Sequence, residues 1–300
     1  MLVAVFTWTE FAQQIAAGIR EGAIYAGLAL AIVIIYRSTR VINFAQGEMA
    51  TFTTFVCWSL MNHGLSFWTA FPIVLALAFT GGFAIERIVI RPVEDAPVVT
   101  IVIVTLGLAL LLNGLTSLIW GGGNRQFRGP FSTRTIDVAG VPISVQDVGI
   151  VAVSVALVAL LGLFFRFTKL GLALRASALN PDSSRLVGVR VGWMLAFGWG
   201  LAAMLGAVAG MMVAPVVFLD PNMMQTILLY AFAAAVLGGL DSPIGAVVGG
   251  LLLGVTITLL GRYVGFVGQA LKLPVALLLI LLLLIVRPGG LFGSVTVRRA

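Results

Sequence analysis

The chain has 300 residues, of which 60% are apolar and only 10% are charged. Soluble domains carry about 25% charged residues, so this composition excludes an ordinary soluble protein and indicates a chain buried in lipid. The net charge of +7 is interpreted as a topology signal and as contact with anionic lipid, not as nucleic-acid binding. One cysteine and one histidine exclude a disulfide framework and a Cys/His metal cluster.

Runs of about 20 apolar residues recur along the chain, and each is long enough to cross a hydrocarbon core of about 30 Å. We predict an all-α, polytopic integral membrane protein with a single transmembrane domain over residues 1–300. The two spans that flank Gly239–Gly245 are short and glycine-rich, so they form either two tilted helices or one re-entrant hairpin, and the total is eight or nine elements. The predicted spans are Ile15–Tyr36, Phe44–Met61, Phe67–Ile85, Val98–Trp120, Val148–Phe165, Gly192–Val217, Thr226–Leu240, Ile244–Leu260 and Leu271–Val286.

The connection between the first two spans reads YRSTRVINFAQGE. Asn43 lies where it could cap the second helix, and Glu48 falls in the early turns of that helix, where the helix dipole favours a carboxylate. One interpretation is a capped helix start in which Glu48 pairs with Arg37 or Arg40. The other is a part for Glu48 in gating or in the substrate path, because an acid within a span is costly and is therefore a functional pointer.

Polar residues inside the spans are the candidates for a translocation path or a gate. Asn113, deep in the fourth span, is the best uncharged candidate, although it could equally join two helices through a hydrogen bond. The full set of candidates is Asn43, Gln46, Glu48 and Asn113. The other acids fall at span ends, in loops or near the start of the first span, which argues against an intramembrane proton relay.

The longest outer loop is predicted at residues 121–146. Its alternating segment Val138–Val145 could form a small hairpin. A loop of this size suits the docking of a soluble partner, and a solvated connector is an equally good interpretation.

The longest polar segment in the second half of the chain, Arg166–Arg190, carries five basic residues. We predict a short helix over Leu170–Leu179, with Leu170, Leu174 and Ala178 on one face and Arg175 on another. That helix is expected to lie along the membrane surface.

A second short helix is predicted directly after it. Pro181 cannot continue the first helix but suits the first position of a new one, with Asn180 as its N-cap and Asp182 in its first turn. Such a rigid knob could transmit force from a partner. An interfacial helix that only satisfies the topology rule is the alternative.

The distribution of basic residues predicts the orientation. If the Arg166–Arg190 loop is cytoplasmic, twelve arginines and lysines lie inside and six lie outside, as the positive-inside rule requires. The N-terminus is then outside and the C-terminus cytoplasmic. The inside set is Arg37, Arg40, Arg87, Arg91, Arg166, Lys169, Arg175, Arg185, Arg190, Arg287, Arg298 and Arg299.

Small residues recur at a spacing of four in the later spans. Because the hydrophobic effect does not drive helix association in lipid, close backbone approach must supply much of the packing. The pairs predict either a tight intrachain bundle or a subunit interface. They are Gly206/Gly210, Gly245/Gly249, Gly250/Gly254 and Gly261/Gly265.

The chain has no G-x-x-x-x-G-K-[ST] phosphate loop, since neither of its two lysines, Lys169 and Lys272, fits that pattern. It cannot hydrolyse ATP in that manner. An ion-coupled secondary transporter would need buried ionisable groups, and an integral-membrane enzyme would need His, Asp and Glu clustered at one interface. The distribution of the acidic residues argues against both of these protein classes.

Four segments carry a family resemblance: VINFAQGE at Val41–Glu48, RPVEDAPVVTIVIVTLGLALLL at Arg91–Leu112, LRASALNPDSSRLVGV at Leu174–Val189 and VLGGLDSPIGAVVGGLLLGV at Val236–Val255. Together, in this order, they resemble the LivH-type permeases. These are the membrane subunits of branched-chain amino acid ABC importers.

The resemblance implies that Arg175–Gly188 is the coupling element that docks into a groove of the ATPase. The coupling residues would be Arg175, Ala176, Asn180, Pro181, Asp182 and Gly188. The sequence departs from the EAA-type coupling pattern, because no glutamate precedes Ala176.

The resemblance also implies the partners and the location. These are a second permease subunit (LivM-like or a copy of this chain), two cytoplasmic ATPases that hold ATP and Mg, and an extracytoplasmic binding protein, in the bacterial inner membrane. This chain itself would be a non-enzymatic permease domain with no cofactor and no metal. The expected cargo is a branched-chain or related small amino acid, with urea, short amides or other small carboxylates as alternatives.

Overall fold

The computed structural model describes residues 7–138, 140–268 and 270–293. Arg298 and Arg299, which contribute to the predicted charge bias, lie outside these ranges. The α-helices of the described residues are α1 Trp8–Thr39, α2 Gln46–Asn62, α3 Phe67–Ile85, α4 Val98–Trp120, α5 Val145–Phe167, α6 Lys169–Leu179, α7 Pro181–Leu186, α8 Val191–Val217, α9 Met223–Gly238, α10 Pro243–Tyr263 and α11 Lys272–Val286. A π-helical turn, Glu86–Ile90, and a 3₁₀ turn, Arg91–Val93, extend α3.

The prediction of a polytopic all-α membrane protein is confirmed. Among the described residues, six helices are long and apolar enough to cross a membrane, and α9 and α11 are shorter apolar helices. Each predicted span corresponds to a helix, and the glycine-rich pair forms two separate helices, α9 and α10. The helix of the one remaining predicted span, α2, has only 17 residues.

Helix α1 forms the centre of the bundle, because its residues from Gly22 to Ile35 are buried. It packs on α10 through glycines on both helices. A Cβ at Gly22 would lie 2.8 Å from the Gly250 carbonyl oxygen, and a Cβ at Gly250 would lie 2.6 Å from the Ala26 nitrogen. Only glycine permits this approach, so Gly250 and Gly254 serve an intrachain contact.

Two of the other three glycine pairs also pack within the chain. Gly206 and Gly210 of α8 face Gln46 and Thr54 of α2, and Gly245 of α10 meets the backbone of α9. A Cβ on Gly265, by contrast, would meet no neighbouring atom. The predicted intrachain bundle therefore accounts for three of the four pairs.

The bundle has two ends. At the first, here called the α6–α7 end, Arg40 after α1 forms a 2.6 Å ion pair with Asp241 in the α9–α10 turn. At the other, here called the β-hairpin end, Arg262 of α10 pairs with Glu10 at 3.4 Å. Ends of helices that are predicted to lie on one side of the membrane thus lie together.

A two-stranded antiparallel hairpin, β1 Thr135–Val138 and β2 Val141–Ser144, precedes α5. The predicted segment Val138–Val145 contains the last residue of its first strand and all of its second strand. Ser144 ends the hairpin and caps α5, because its side chain accepts a hydrogen bond from the Gln146 N–H. The predicted outer loop therefore contains regular structure, and backbone pairing between Arg125 and Leu219 joins it to the connection between α8 and α9.

Candidate functional site

Helix α2 begins in the middle of the bundle and not at one of its ends. The Gln46 side chain donates a 2.8 Å hydrogen bond to the Ala202 carbonyl, which lies about 16 Å along α8 at 1.5 Å per residue. The other end of α2 reaches the β-hairpin end, where Trp58 donates to the Gln126 carbonyl. Helix α2 is therefore a short helix whose N-terminus lies inside the bundle.

An irregular segment, residues 41–45, leads from the end of α1 to this position. Six residues of extended chain reach about 20 Å, enough to return from Arg40 to the middle of the bundle. Val41, Asn43 and Ala45 are buried. Irregular backbone at this depth is tolerated only where protein surrounds it.

Asn43 orders this segment, although not as the predicted helix cap. Its side-chain oxygen accepts a 3.0 Å hydrogen bond from the Ala45 N–H, which makes a local turn. The helix begins three residues later at Gln46, and its N-cap, Ala45, makes no side-chain cap. The Asn43 amide donates to the Gln46 side-chain oxygen at 3.3 Å, so two of the predicted path residues contact each other.

Glu48 and Asn113, the other two predicted path residues, also lie together. The Asn113 amide nitrogen donates to Glu48 Oε2 at 3.2 Å, to the Pro221 carbonyl at 3.1 Å and to Asn222 Oδ1 at 3.0 Å. Gln225 donates to the same Asn222 oxygen at 2.9 Å. We call Glu48, Asn113, Pro221, Asn222 and Gln225 the amide cluster. It joins α2, α4 and the start of α9.

The expected ion pair of Glu48 with Arg37 or Arg40 is wrong. Arg40 pairs with Asp241 instead, and within the described residues no basic side chain forms an ion pair with Glu48. Glu48 follows Arg40 by only eight residues, which suggests that both residues lie at the same membrane surface. The extended segment, however, carries Glu48 to the bundle centre.

The amide cluster opens onto a polar surface of α9. Glu48 is 7% exposed and Asn113 is half-buried, whereas Asn222, Gln225 and Thr226 are exposed. Polar side chains at mid-membrane depth face the bundle interior or a water-filled cavity and not lipid. This α9 surface is therefore a candidate lining of a translocation path or a contact with a second subunit.

A cavity of about 470 Å³ opens toward the β-hairpin end between α1, α8, α9 and α11. Charged side chains of both signs line it, and the rings of Tyr25 and Tyr230 stack with centroids 5.0 Å apart. The charged members are Arg20, Glu21, Asp220 and Lys272. Sequence reasoning missed them because each lies near a span end, where a charge is ordinary. The cavity is a candidate vestibule.

Helix α6 lies against the opposite end of the bundle. Thr168 caps it by accepting from the Gly171 N–H at 2.9 Å. The buried residues of α6 are Gly171, Leu174 and Ser177, so the predicted face is partly wrong: Leu174 is inward, but Leu170 is 47% exposed. Gly171 permits close contact with the end of α5, so the buried face of α6 contains Gly171 instead of Leu170.

The predicted break at Asn180 and Pro181 is present, and α7 follows it. Asn180 Oδ1 accepts from the Ser183 N–H at 3.0 Å, Pro181 is the first residue of the helix, and Asp182 pairs with Arg185 at 3.2 Å. Gly188 ends the unit with φ of 82°, a conformation that glycine adopts without strain. The segment is thus a rigid helix pair.

The two helices differ in exposure. Arg175 and Ala176 of α6 are half-buried, and Arg175 lines a small cavity together with Arg37 of α1 and Pro243 of α10. The tip of the unit is exposed and apolar: Leu186 is 88% exposed and Val187 is 79% exposed. A partner on this side would therefore meet α7 first, while α6 contacts the bundle.

A charged cluster at the end of α3 was not singled out from the sequence. Arg87 lies 4.5 Å from the centroid of the Trp193 ring, over its face, and 3.9 Å from Glu86, which is 1% exposed. The Arg91 guanidinium lies against Gly192. These contacts join α3 to the start of α8, the helix that follows α7. Three charges within six residues after an apolar span are the signal that could have revealed it.

A multi-pass helical bundle with a polar cluster at its centre and a rigid helix pair at one end fits a membrane transport subunit. No group of His, Cys, Asp and Glu among the described residues could hold a metal ion. The sequence model of the family described as "Branched-chain amino acid transport system / permease component" matches residues 14–286. The chain belongs to this family.

Individual relatives agree with the family assignment. LivH of Salmonella typhimurium, a high-affinity branched-chain amino acid transport system permease protein, is 28% identical over 96% of this chain and 97% of its own length. BraD of Pseudomonas aeruginosa, described in the same terms, is 29% identical over 97% and 98%. The fructose import permease protein FruF of Bifidobacterium longum is 23% identical over 74% and 61%. The predicted resemblance to LivH-type permeases is confirmed.

Proposed function

We propose that this chain forms the translocation path for branched-chain or related small amino acids in an ATP-driven importer. The observation that carries the proposal is the short helix α2, which begins inside the bundle and brings Glu48 and a set of amides to the bundle centre beside an exposed polar surface. Helices that are interrupted inside the membrane are a recurrent way of building a substrate site in transporters. The similarity to LivH and BraD supports the choice of cargo.

The proposed assembly has four further components. A second permease subunit, either LivM-like or a copy of this chain, completes the path and covers the polar surface of α9. Two ATPases hold ATP and Mg and act on the α6–α7 unit. An extracytoplasmic binding protein delivers the substrate to the β-hairpin end, where the 470 Å³ cavity opens.

The α6–α7 unit is the proposed docking site for the ATPases. Its exposed apolar tip can be buried in a groove of a partner, which is favourable by the hydrophobic effect. Arg175 and Ala176 lie between the tip and the bundle, so their proposed role is to transmit movement to α1 and α10 rather than to make the first contact. The Arg87–Trp193 contact extends this connection to α3.

The proposed orientation places the α6–α7 end in the cytoplasm, with the N-terminus outside and the C-terminus inside. The positive-inside rule and the position of the coupling unit both support it. The whole chain acts as one permease domain, in which α1 links the two ends.

The mechanism proposed is alternating access. The bundle needs two conformations that differ by only a few kcal/mol, so that ATP binding can reverse their populations. A complete reversal, from 1:99 to 99:1, needs about 5.5 kcal/mol of differential binding. The close glycine contacts between α1 and α10 allow these helices to move as one body.

Reconstitution into liposomes tests the proposal. The chain is combined with its partner permease, the ATPases and the binding protein, and uptake of leucine, a polar amino acid and urea is measured. Uptake of leucine that requires ATP and stops with a hydrolysis-deficient ATPase is expected. Preferential uptake of urea would move the cargo to the alternative within the same importer class.

An ion-coupled secondary transporter is the second candidate, because Glu48 is a buried carboxylate within the bundle. The same liposomes separate the two functions. Collapse of the ion gradients with ATP intact leaves an ATP-driven importer active and stops an ion-coupled transporter.

A further inference from the structure

The amide cluster places three hydrogen-bond acceptors around one nitrogen atom. Three oxygens, from Glu48, Pro221 and Asn222, lie 3.0 to 3.2 Å from the single amide nitrogen of Asn113. A primary amide has two hydrogens on its nitrogen, so Asn113 serves two of these acceptors at a time, and Gln225 donates to the Asn222 oxygen at 2.9 Å. Rotation of the amide would place its oxygen against all three, so the acceptors themselves fix the nitrogen in this position.

The same place has a charge mismatch. The Glu48 carboxylate is only 7% exposed, and no basic side chain within the described ranges forms an ion pair with it. The start of α2 and the Asn113 amide provide partial positive charge, but not a full one. A buried carboxylate without a cationic partner is costly, and membrane proteins keep such groups for function.

We propose that Glu48, the Pro221 carbonyl and Asn222 form a recognition site for the primary ammonium group of the substrate, and that Asn113 fills this site when it is empty. An ammonium group carries three donors and one positive charge, so it matches the three acceptors and neutralises the carboxylate. The Asn113 amide is a neutral, incomplete substitute with two donors.

This inference rests on the proposed function and narrows it. A site of this kind favours amino acids, which carry an ammonium group, over urea and short amides, which do not. It also assigns different roles to two neighbouring residues: Glu48 binds the substrate, whereas Asn113 competes with it. A purely structural cluster would give both residues the same role.

Binding of tritiated leucine to the purified permease–ATPase complex, without the binding protein, tests the proposal. The competitors are isoamylamine, which keeps the ammonium but lacks the carboxylate, and 4-methylpentanoate, which lacks the ammonium. We expect isoamylamine to compete and 4-methylpentanoate to fail. Equal competition by the two compounds, or stimulation by Na⁺ that no amine reverses, would overturn the proposal.

Two variants sharpen the test. Glu48→Gln is expected to weaken leucine binding about tenfold or more, because a charge-assisted hydrogen bond is lost. Asn113→Ala is expected to strengthen it, because the competing donor is removed. Weaker binding in Asn113→Ala, with an unchanged elution profile, would identify the cluster as structural. Glu94→Gln, at an exposed acid after the 3₁₀ turn, is the matched control.

Uptake in liposomes distinguishes failure of this inference from failure of the proposed function. ATP-driven leucine uptake that is equally fast in Glu48→Gln and in the unmodified chain overturns the ammonium site and leaves the importer intact. ATP-driven uptake of urea in place of leucine does the same. Absence of any ATP-driven uptake refutes the importer itself.

Discussion

Replacement of Leu186 with alanine tests the coupling role of the α6–α7 unit. Leu186 ends α7 and is 88% exposed, so nearly all of its side chain is free to be buried by a partner. Full burial of a leucine contributes about 1.5–3 kcal/mol, and truncation to alanine removes most of that gain. A loss of about 1.5 kcal/mol corresponds to an affinity for the ATPase about tenfold lower.

The same exposure predicts that the variant still folds. A surface substitution away from caps and buried groups changes the stability by about 0.5 kcal/mol or less, so membrane insertion and thermal stability should match those of the unmodified chain. Affinity is measured by titrating labelled ATPase against the permease in nanodiscs. Leu118→Ala is the control, since Leu118 is 81% exposed but lies on α4 near the β-hairpin end. Equal affinity in Leu186→Ala and Leu118→Ala would refute the reasoning.

Three further predictions concern the fold around the site. Asn180→Ala should cost the α7 helix about 1 kcal/mol because its N-cap is lost, and hydrogen exchange should be faster at residues 181–186 only; unchanged exchange would contradict the cap. Gly22→Val should lower the yield of folded protein, because a side chain at this position overlaps the α10 backbone. Gly107→Val is the control and should leave the yield unchanged, because a Cβ at Gly107 meets no neighbouring atom. Similar yields of the two variants would argue against the glycine contact. Arg40→Ala should lower thermal stability only slightly, because exposed ion pairs contribute about 0–1 kcal/mol, and a loss of several kcal/mol would show that the Arg40–Asp241 pair has a larger role.

Structural features that depend on a few neighbouring residues could be predicted from the sequence. Pro181 after Asn180 predicts the break between α6 and α7, and a proline cannot be placed inside a regular helix without cost. The glycine spacing on α10 predicts close packing, because glycine alone permits backbone contact. The long spans could be predicted from hydropathy, because each residue contributes to the mean hydropathy of a span independently of its neighbours.

The depth of α2 could not be predicted in this way. The segment Phe44–Met61 is apolar enough to resemble an ordinary span, and only the contacts of Gln46 with α8 place its start at the bundle centre. The contact between Glu48 and Asn113 follows from the position of that helix start, since the two residues are 65 positions apart in the chain. The exposure of Leu170 could not be predicted either, because Gly171 and the end of α5 decide which face of α6 is buried.

Access of water to the polar surface of α9 is the most direct test of the central claim, that the bundle centre borders a translocation path. Cys57, the only cysteine in the sequence, is first replaced with serine. In this background, Gln225→Cys and Leu110→Cys are treated with a membrane-impermeant, water-soluble thiol reagent in liposomes that contain the complete transporter. Gln225 is an exposed member of the amide cluster, whereas Leu110 is 77% exposed on the apolar surface of α4. We expect rapid modification at position 225 that changes when ATP is added, and none at position 110. Equal protection of both positions, with and without ATP, would contradict a path at this surface.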